Sequence, residues 1–375
     1  MIIGIDASRV FRVQKTGTEW YSYELIKALS GVECRGVVRL YGAQSSKMMR
    51  LPLSSAMHYR QLWWPMARLW TQGRLSLEML RKPPDVLFVP SHVIPLIHPK
   101  KTVTTLHDVG FVHWQQAYTP KEWQYLDWST RYALKQCPRI ITVSQFSKDE
   151  LVRIYGAQPD AIEVIHLGYD RERYCLPASK AAVSAEVRSR FGVTGRYLIM
   201  TGRIDHRKNQ AFLVAAFEQI AGQYPDLQLV LVGPLGRGGS DILDAIKTSP
   251  YQERIIVHGW VPEEDKILLL QGAEAMVFPS LYEGFGLPVI EAQACGVPVV
   301  AARNSAIPET TGEGALYFGD ADIEECVASI QRILDDVVVR EHLVTAGSEN
   351  ILRFSWHTCA QQTIDVLQQV GRSGE

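Results

Sequence analysis

The sequence predicts an α/β protein built from two doubly wound, parallel-sheet domains in tandem. Three observations carry this expectation. The chain has 375 residues, 46% of them apolar, enough for two buried cores. Its apolar runs are only four to six residues long and several do not alternate, as in strands buried on both faces of a parallel sheet. Helical patterns separate these runs, and the whole series restarts near residue 197.

Strands are expected at 2–6, 37–41, 86–89, 103–106, 140–143 and 162–165, with an amphipathic helix over 18–29 after the first. Ser144 is placed to cap a helix running through 147–151. Residues 171–195 lack a long apolar run, carry Pro177 and an Ala/Ser-rich stretch, and close on Gly192 and Gly195, so they read as a linker. The second series has strands at 197–201, 227–232, 255–257, 275–278 and 297–300, and helices at 210–221, 263–271 and 287–294. The expected division is an N-terminal domain 1–170, the linker 171–195, a C-terminal domain 196–354, and a helix over 355–375 packing back towards the first domain. Two such units leave a cleft at the carboxyl ends of their strands, where doubly wound folds bind nucleotides.

No segment approaches the ~20 apolar residues of a membrane-spanning helix, and residues 2–6 read as a strand rather than a signal peptide, so a cytoplasmic protein is expected. The six cysteines have no metal-binding spacing; neither a metal nor a disulfide is expected. The net charge of −1 hides a division: residues 1–170 hold 21 Lys+Arg against 14 Asp+Glu, or +7, leaving −8 for the rest. A basic half favours approach to something anionic, such as a bilayer surface or a lipid diphosphate. No nucleic-acid-binding motif accompanies it.

The strongest chemical signal lies in the loop and helix start over 280–291. Gly284 and Gly286 let the backbone pass close to a ligand, and the free N–H groups of the first turn, with Pro288 inside it, point at an anion. Glu283 and Glu291 lie on the loop and about two turns later; the plain alternative is a solvated helix with two ordinary glutamates. Glu283 and Glu291 around Gly284-Phe285-Gly286-Leu287-Pro288 resemble the EX7E element of the family 4 glycosyltransferases. The resemblance implies the GT-B fold, two Rossmann-like domains facing across a cleft, with an N-terminal acceptor domain and a C-terminal donor domain. It implies a retaining transferase that takes a hexose of mannose or glucose type from a nucleotide diphosphate sugar, the carrier being UDP or, as in GDP-mannose, GDP. It further implies that Glu283 contacts the donor sugar and Glu291 the ribose, and that no metal or other cofactor is required.

A second family element follows the strand at 197–201. Gly202, Arg203 and Lys208 match a diphosphate clamp, whose cations stabilise the leaving group; Arg207 is the neighbour in question, and the spacing from Arg203 favours Lys208. Gly17 resembles the glycine of the family's first loop, which reaches the donor phosphate; a plain helix-start turn is the alternative. His107 and Asp108, at the end of the strand over 103–106, resemble the pair near the acceptor, with His107 positioning sugar rather than acting covalently, and Ser144 lies in a supporting match on the acceptor side. His258 and Gly259 resemble the segment edging the nucleobase through its backbone. The implied partners are the nucleotide sugar and a saccharide or lipid-linked acceptor, in polysaccharide, lipopolysaccharide or glycolipid assembly. The alternatives are a catalytically silent nucleotide-sugar-binding subunit or another GT-B enzyme, an epimerase or phosphorylase. The stretch 58–82 mixes tryptophans with arginines, either as a contact with the cytoplasmic face of a membrane or as a helix packed on the first sheet.

Overall fold

The computed structural model describes residues 1–10, 15, 17–43, 51, 53–66 and 69–373. The chain forms two units, one of residues 1–168 and 354–375, the other of residues 169–353.

The first unit holds seven strands: β1 (Ile2–Asp6), β2 (Val37–Gly42), β3 (Met57–Gln61), β4 (Val86–Val89), β5 (Thr102–Thr105), β6 (Arg139–Thr142) and β7 (Ile162–Val164). Their order is β3-β2-β1-β4-β5-β6-β7, every pairing parallel. The central strands are buried on both faces, which explains the unbroken apolar runs at 86–89 and 140–141. The second unit repeats the plan with six: β8 (Arg196–Thr201), β9 (Leu227–Val232), β10 (Ile255–His258), β11 (Ala275–Phe278), β12 (Val299–Ala302) and β13 (Ala315–Phe318). They are ordered β10-β9-β8-β11-β12-β13, again all parallel. In each unit the winding reverses beside the first strand, between β1 and β4 and between β8 and β11. The carboxyl ends of those pairs flank the crevice where such sheets take ligands.

Two strands were absent from the sequence expectation. β3 is an edge strand with one fully buried residue, so its sequence, Met-His-Tyr-Arg-Gln, has no apolar run. β13 is a four-residue strand on the other sheet's edge. β12 starts two residues later than expected because Pro298 has no N–H to give the ladder, although its carbonyl accepts from Met276 N at 2.9 Å.

The stretch 171–195, expected as a linker, contains the helix Lys180–Phe191. Ser179 caps it and Gly192, at φ 69°, ends it; Val187 is its single fully buried residue, so no apolar period announced it. The chain passes between units near Gly168, where a Cβ would lie 2.0 Å from the Trp356 nitrogen, so only glycine fits. The final helix, Trp356–Arg372, buries Ile364, Leu367 and Val370 against the helix Gly17–Leu29 and β4.

The segment 58–82 is not one amphipathic helix. It opens as β3 and resumes as a π-helical turn, Trp70–Leu75, followed by the helix Ser76–Arg81; residues 67–68 lie outside the described set. Arg60 and Arg74 both pair with buried Glu78, at 2.6 and 3.2 Å, so neither cation is free for lipid phosphate. Trp70 donates its Nε1–H to Asp6 Oδ1 at 3.0 Å, which pins that indole to the end of β1. Among the described residues no helix is long and apolar enough to cross a membrane.

Candidate active site

The turn after β8 begins at Gly202, whose φ of 137° suits glycine alone, and whose carbonyl lies 1.9 Å from where a Cβ on Gly233 would be. That close packing aims the backbone towards the crevice beside β11. Arg203 is exposed, and its aliphatic stem lies over Gly236. Its guanidinium has no ion-pair partner among the described residues. Asp205 then caps a short 3-10 turn by accepting from Lys208 N at 3.0 Å, and this fold-back turns Lys208 inward.

Lys208 is buried and its ammonium contacts Glu283 Oε1, while its Nζ sits 5.1 Å from the Phe278 ring centroid at the end of β11. Arg207 approaches the other carboxylate oxygen at 3.4 Å and donates to the Tyr282 carbonyl. Ser280 Oγ donates to Glu283 Oε1, and Ser305 Oγ accepts from Glu283 N at 2.9 Å. Burial alone would raise the Glu283 pKa, but Lys208 and Arg207 hold it below the ordinary value, so the carboxylate is ionised. Two loops over 70 residues apart in sequence thus meet as one charged cluster.

Beyond it, Gly286 adopts φ 103° as the residue before the helix Leu287–Ala294, with Pro288 in the first turn. Phe285 and Leu287 flank Gly286, and Gly284 is buried in the same loop. Glu291, on that helix, is buried in a second cluster: Lys266 Nζ reaches its two oxygens at 3.2 and 3.1 Å and Glu263 at 3.0 Å, and Tyr174 donates to Glu263. Burial raises the Glu291 pKa, Lys266 opposes this, and Glu263 adds to it, leaving it above the ordinary glutamate value. Burial would lower Lys266, but Glu291 and Glu263 hold it up and charged. At the end of β10, His258 and Gly259 both offer carbonyls to Gly233 N, at 3.0 and 3.1 Å, and His258 Nε2 is buried without a partner among the described residues.

In the first unit, His107 follows β5. Its Nε2 lies 3.2 Å from the Pro90 carbonyl, which only accepts, so Nε2 carries the proton and Nδ1 is left as an acceptor. Burial pushes its pKa down, keeping the ring neutral at pH 7. Asp108 accepts from Gly110 N at 2.9 Å. Ser144 is fully buried as the cap of the helix Gln145–Tyr155 and donates to Ser147 Oγ, which in turn donates to the His107 carbonyl. It therefore stands behind His107, supporting the backbone there. Gly17 opens the helix Gly17–Leu29, and a Cβ on it would meet nothing within 4 Å; residues 14 and 16 beside it lie outside the described set.

The sequence reading missed Arg207 as a full member of the first cluster and Lys266, Glu263 and Tyr174 in the second. No local pattern marks them; the long acidic start of the helix Glu263–Gln271 was the only signal.

Known glycosyltransferase families match both units of the chain. The model described as "Glycosyl transferases group 1" matches residues 185–350, and "Glycosyltransferase Family 4" matches 16–173. The O-antigen chain mannosyltransferase B of Escherichia coli is 30% identical over 273 residues, covering 72% of this chain and 70% of that protein. The chain belongs to the group 1, family 4 glycosyltransferases. Its fold is GT-B: sucrose-phosphate synthase from Thermosynechococcus elongatus superposes with a TM-score of 0.76 at 20% identity over 98% of each chain. Anabaena HepE in complex with UDP-glucose superposes with a TM-score of 0.73 at 18% identity, over 98% of this chain and 99% of that one.

Proposed function

We propose that this glycosyltransferase is a retaining, metal-independent enzyme that transfers a mannose- or glucose-type hexose from a nucleotide diphosphate to a saccharide or lipid-linked acceptor at the cytoplasmic face of a membrane. The supporting observation is the meeting of Lys208, Arg207 and Glu283 at the ends of β8 and β11, with Arg203, which has no ion-pair partner among the described residues, on the same turn. A mannosyl relative and a UDP-glucose-bound structural neighbour support the choice of hexose and carrier.

In the proposed reaction the bond between the anomeric carbon and the phosphate oxygen breaks, and an acceptor oxygen bonds to that carbon from the same face. The acceptor proton passes to the departing phosphate oxygen. Arg203 and Lys208 stabilise the charge that builds on the diphosphate, with Arg207 as a third cation; such preplaced charges act without reorganising. Glu283, held ionised and bonded to Lys208, Arg207 and Ser280, is a poor nucleophile, which favours its role as an orienting acceptor for sugar hydroxyls over a covalent one. Glu291 binds the ribose diol, the backbone at His258 and Gly259 edges the base, and the N–H groups following Gly286 receive phosphate. In the first unit, neutral His107 accepts from a sugar hydroxyl, with Asp108 and Ser144 fixing its surroundings.

Slow hydrolysis of UDP-glucose and GDP-mannose by the purified chain in EDTA, followed by proton NMR, tests this reading. Release of the α-hexose first is expected. Initial release of the β-hexose, or activity only with an added divalent ion, would overturn it.

A further inference from the structure

We propose that the outer face of the helix Pro120–Gln136, with the loop at Leu96 and Ile97 beside it, is a docking surface for an anionic lipid bilayer. Lys121, Tyr125, Trp128, Tyr132 and Lys135 follow one another at spacings of four, three, four and three residues, which aligns them in one stripe. The opposite face, with Ser129, Thr130 and Ala133, is buried in the unit. The stripe is open: Tyr125 is 44% and Trp128 41% exposed, and Leu96 and Ile97 next to it are 52% and 44% exposed. Apolar side chains grouped in this way on a surface mark an interaction site.

The mount is rigid. Tyr132 donates its hydroxyl hydrogen to the Leu96 carbonyl at 3.2 Å, and Gln72 brackets the same loop, accepting from Leu96 N at 3.0 Å and donating to the Ile94 carbonyl at 3.1 Å.

Ring geometry and charge select the partner. Trp128 stacks on Tyr125, with ring centroids 5.8 Å apart, and on Tyr132, at 5.3 Å, so its neighbours on both sides along the stripe compete with any ligand for its ring faces. A sugar ring stacks on an open aromatic face; an indole beside tyrosines and aliphatic tips suits the headgroup layer. A cation stands at each end of the stripe, Lys121 and Lys135, both exposed and without an acidic partner among the described residues, and Lys100 is exposed beside Ile97. The nearby acids are already engaged: Glu122 with Thr119, and Asp127 with Arg131 at 2.9 Å. An aromatic stripe bracketed by free lysines, on the half of the chain carrying +7, complements anionic lipid. This surface is separate from residues 58–82, whose Arg60 and Arg74 are spent on Glu78. The inference does not depend on the donor-site reading, since lipid binding needs no nucleotide.

Co-sedimentation of the full chain with phosphatidylglycerol-containing vesicles tests it, with phosphatidylcholine vesicles as control. Binding to the anionic vesicles alone is expected. Tyr125→Ser with Trp128→Ser should lower the partition coefficient about tenfold or more. Lys121→Glu with Lys135→Glu should lower it more than ~25-fold, at about fivefold for each charge removed and more for reversal. UDP affinity and the melting temperature should stay at wild-type values in the lysine pair, a readout a fold defect would move. Equal binding to both vesicle types, no binding by the wild type, or unchanged partition in both double variants overturns the proposal. So does protection of Trp128 from oxidation by soluble mannan or glucan without vesicle binding, which would give the surface to a glycan.

Discussion

Lys208 and Arg203 are both cations assigned to the leaving group, yet their surroundings differ enough to separate catalysis from stability. Lys208 is buried against Glu283, whereas Arg203 is exposed and has no ion-pair partner among the described residues. Arg203→Ala should therefore lower turnover by ~10²-fold or more while leaving the melting temperature alone. Lys208→Ala should lower turnover as much and also cost up to about 3 kcal/mol of stability, because a buried carboxylate loses one of its cations; Arg207 limits the loss. Near wild-type turnover in both variants at saturating UDP-glucose would sink the clamp. Glu291 supplies a pH signature. Its pKa is raised by burial and by Glu263, so as pH falls it takes up a proton above the ordinary glutamate range and the charged ribose acceptor is lost. Calorimetry with bare UDP should show affinity falling over that acid limb in the wild type. The limb should move to higher pH in Lys266→Met, which removes the opposing charge, and be flat in Glu291→Gln. Superimposable profiles for all three would mean that Glu291 does not touch the nucleotide. These partners explain what the sequence hid. Glu283 and Glu291 sit in one local motif, but Tyr174 and Glu263 are 89 residues apart, and Arg207 reaches Tyr282 across 75. Only the fold shows such pairs.

At the level of elements, a local signal was readable where backbone geometry needs a particular residue and unreadable where only tertiary contact decides. Gly202 and Gly286 occupy positive φ in the two turns that shape the second crevice, so the sequence marked both. The helix Lys180–Phe191 buries one side chain and β3 lies on an edge, so neither carried a period, and the former passed for a linker. The same distinction separates two glycine substitutions. Gly286→Ala forces an L side chain to φ 103° with Thr310 Oγ1 only 3.2 Å from the new Cβ. A stability loss of about 1–2 kcal/mol is expected, with weaker UDP binding. Gly17→Ala adds a methyl to the first turn of a helix where nothing lies within 4 Å. Its melting temperature should hold or rise, since alanine is the better helix former by about 1 kcal/mol. Turnover should nevertheless fall at least tenfold if the donor phosphate approaches that backbone. Unchanged turnover would reduce Gly17 to a helix start.

At the level of the whole molecule, the two units are not equally self-contained. The second is one continuous stretch, residues 169–353, with its own six-stranded sheet and core. The first is closed by a helix that the chain delivers only after finishing the second, and that helix buries Trp356, Ile364, Val366, Leu367 and Val370. Met1 and Val86 crowd Gly371, and Lys101 Nζ bonds its carbonyl at 2.6 Å. Full burial of an apolar side chain stabilises by roughly 1.5–3 kcal/mol, so five of them reach at most about 15 kcal/mol, as much as the whole stability of an ordinary domain. Residues 169–353 expressed alone should therefore unfold cooperatively and bind UDP or GDP within about tenfold of the full chain, because Arg203, Lys208, Lys266, Glu283 and Glu291 all lie inside that stretch. Residues 1–168 alone should not fold, and appending 354–373 through a flexible linker after residue 168 should restore a cooperative transition by circular dichroism. Cooperative unfolding of 1–168 without the helix would show that this packing is dispensable. Loss of nucleotide binding by a folded 169–353 fragment would instead show that donor binding needs groups from the first unit, and would place the ribose and diphosphate contacts partly outside the clusters around Glu283 and Glu291.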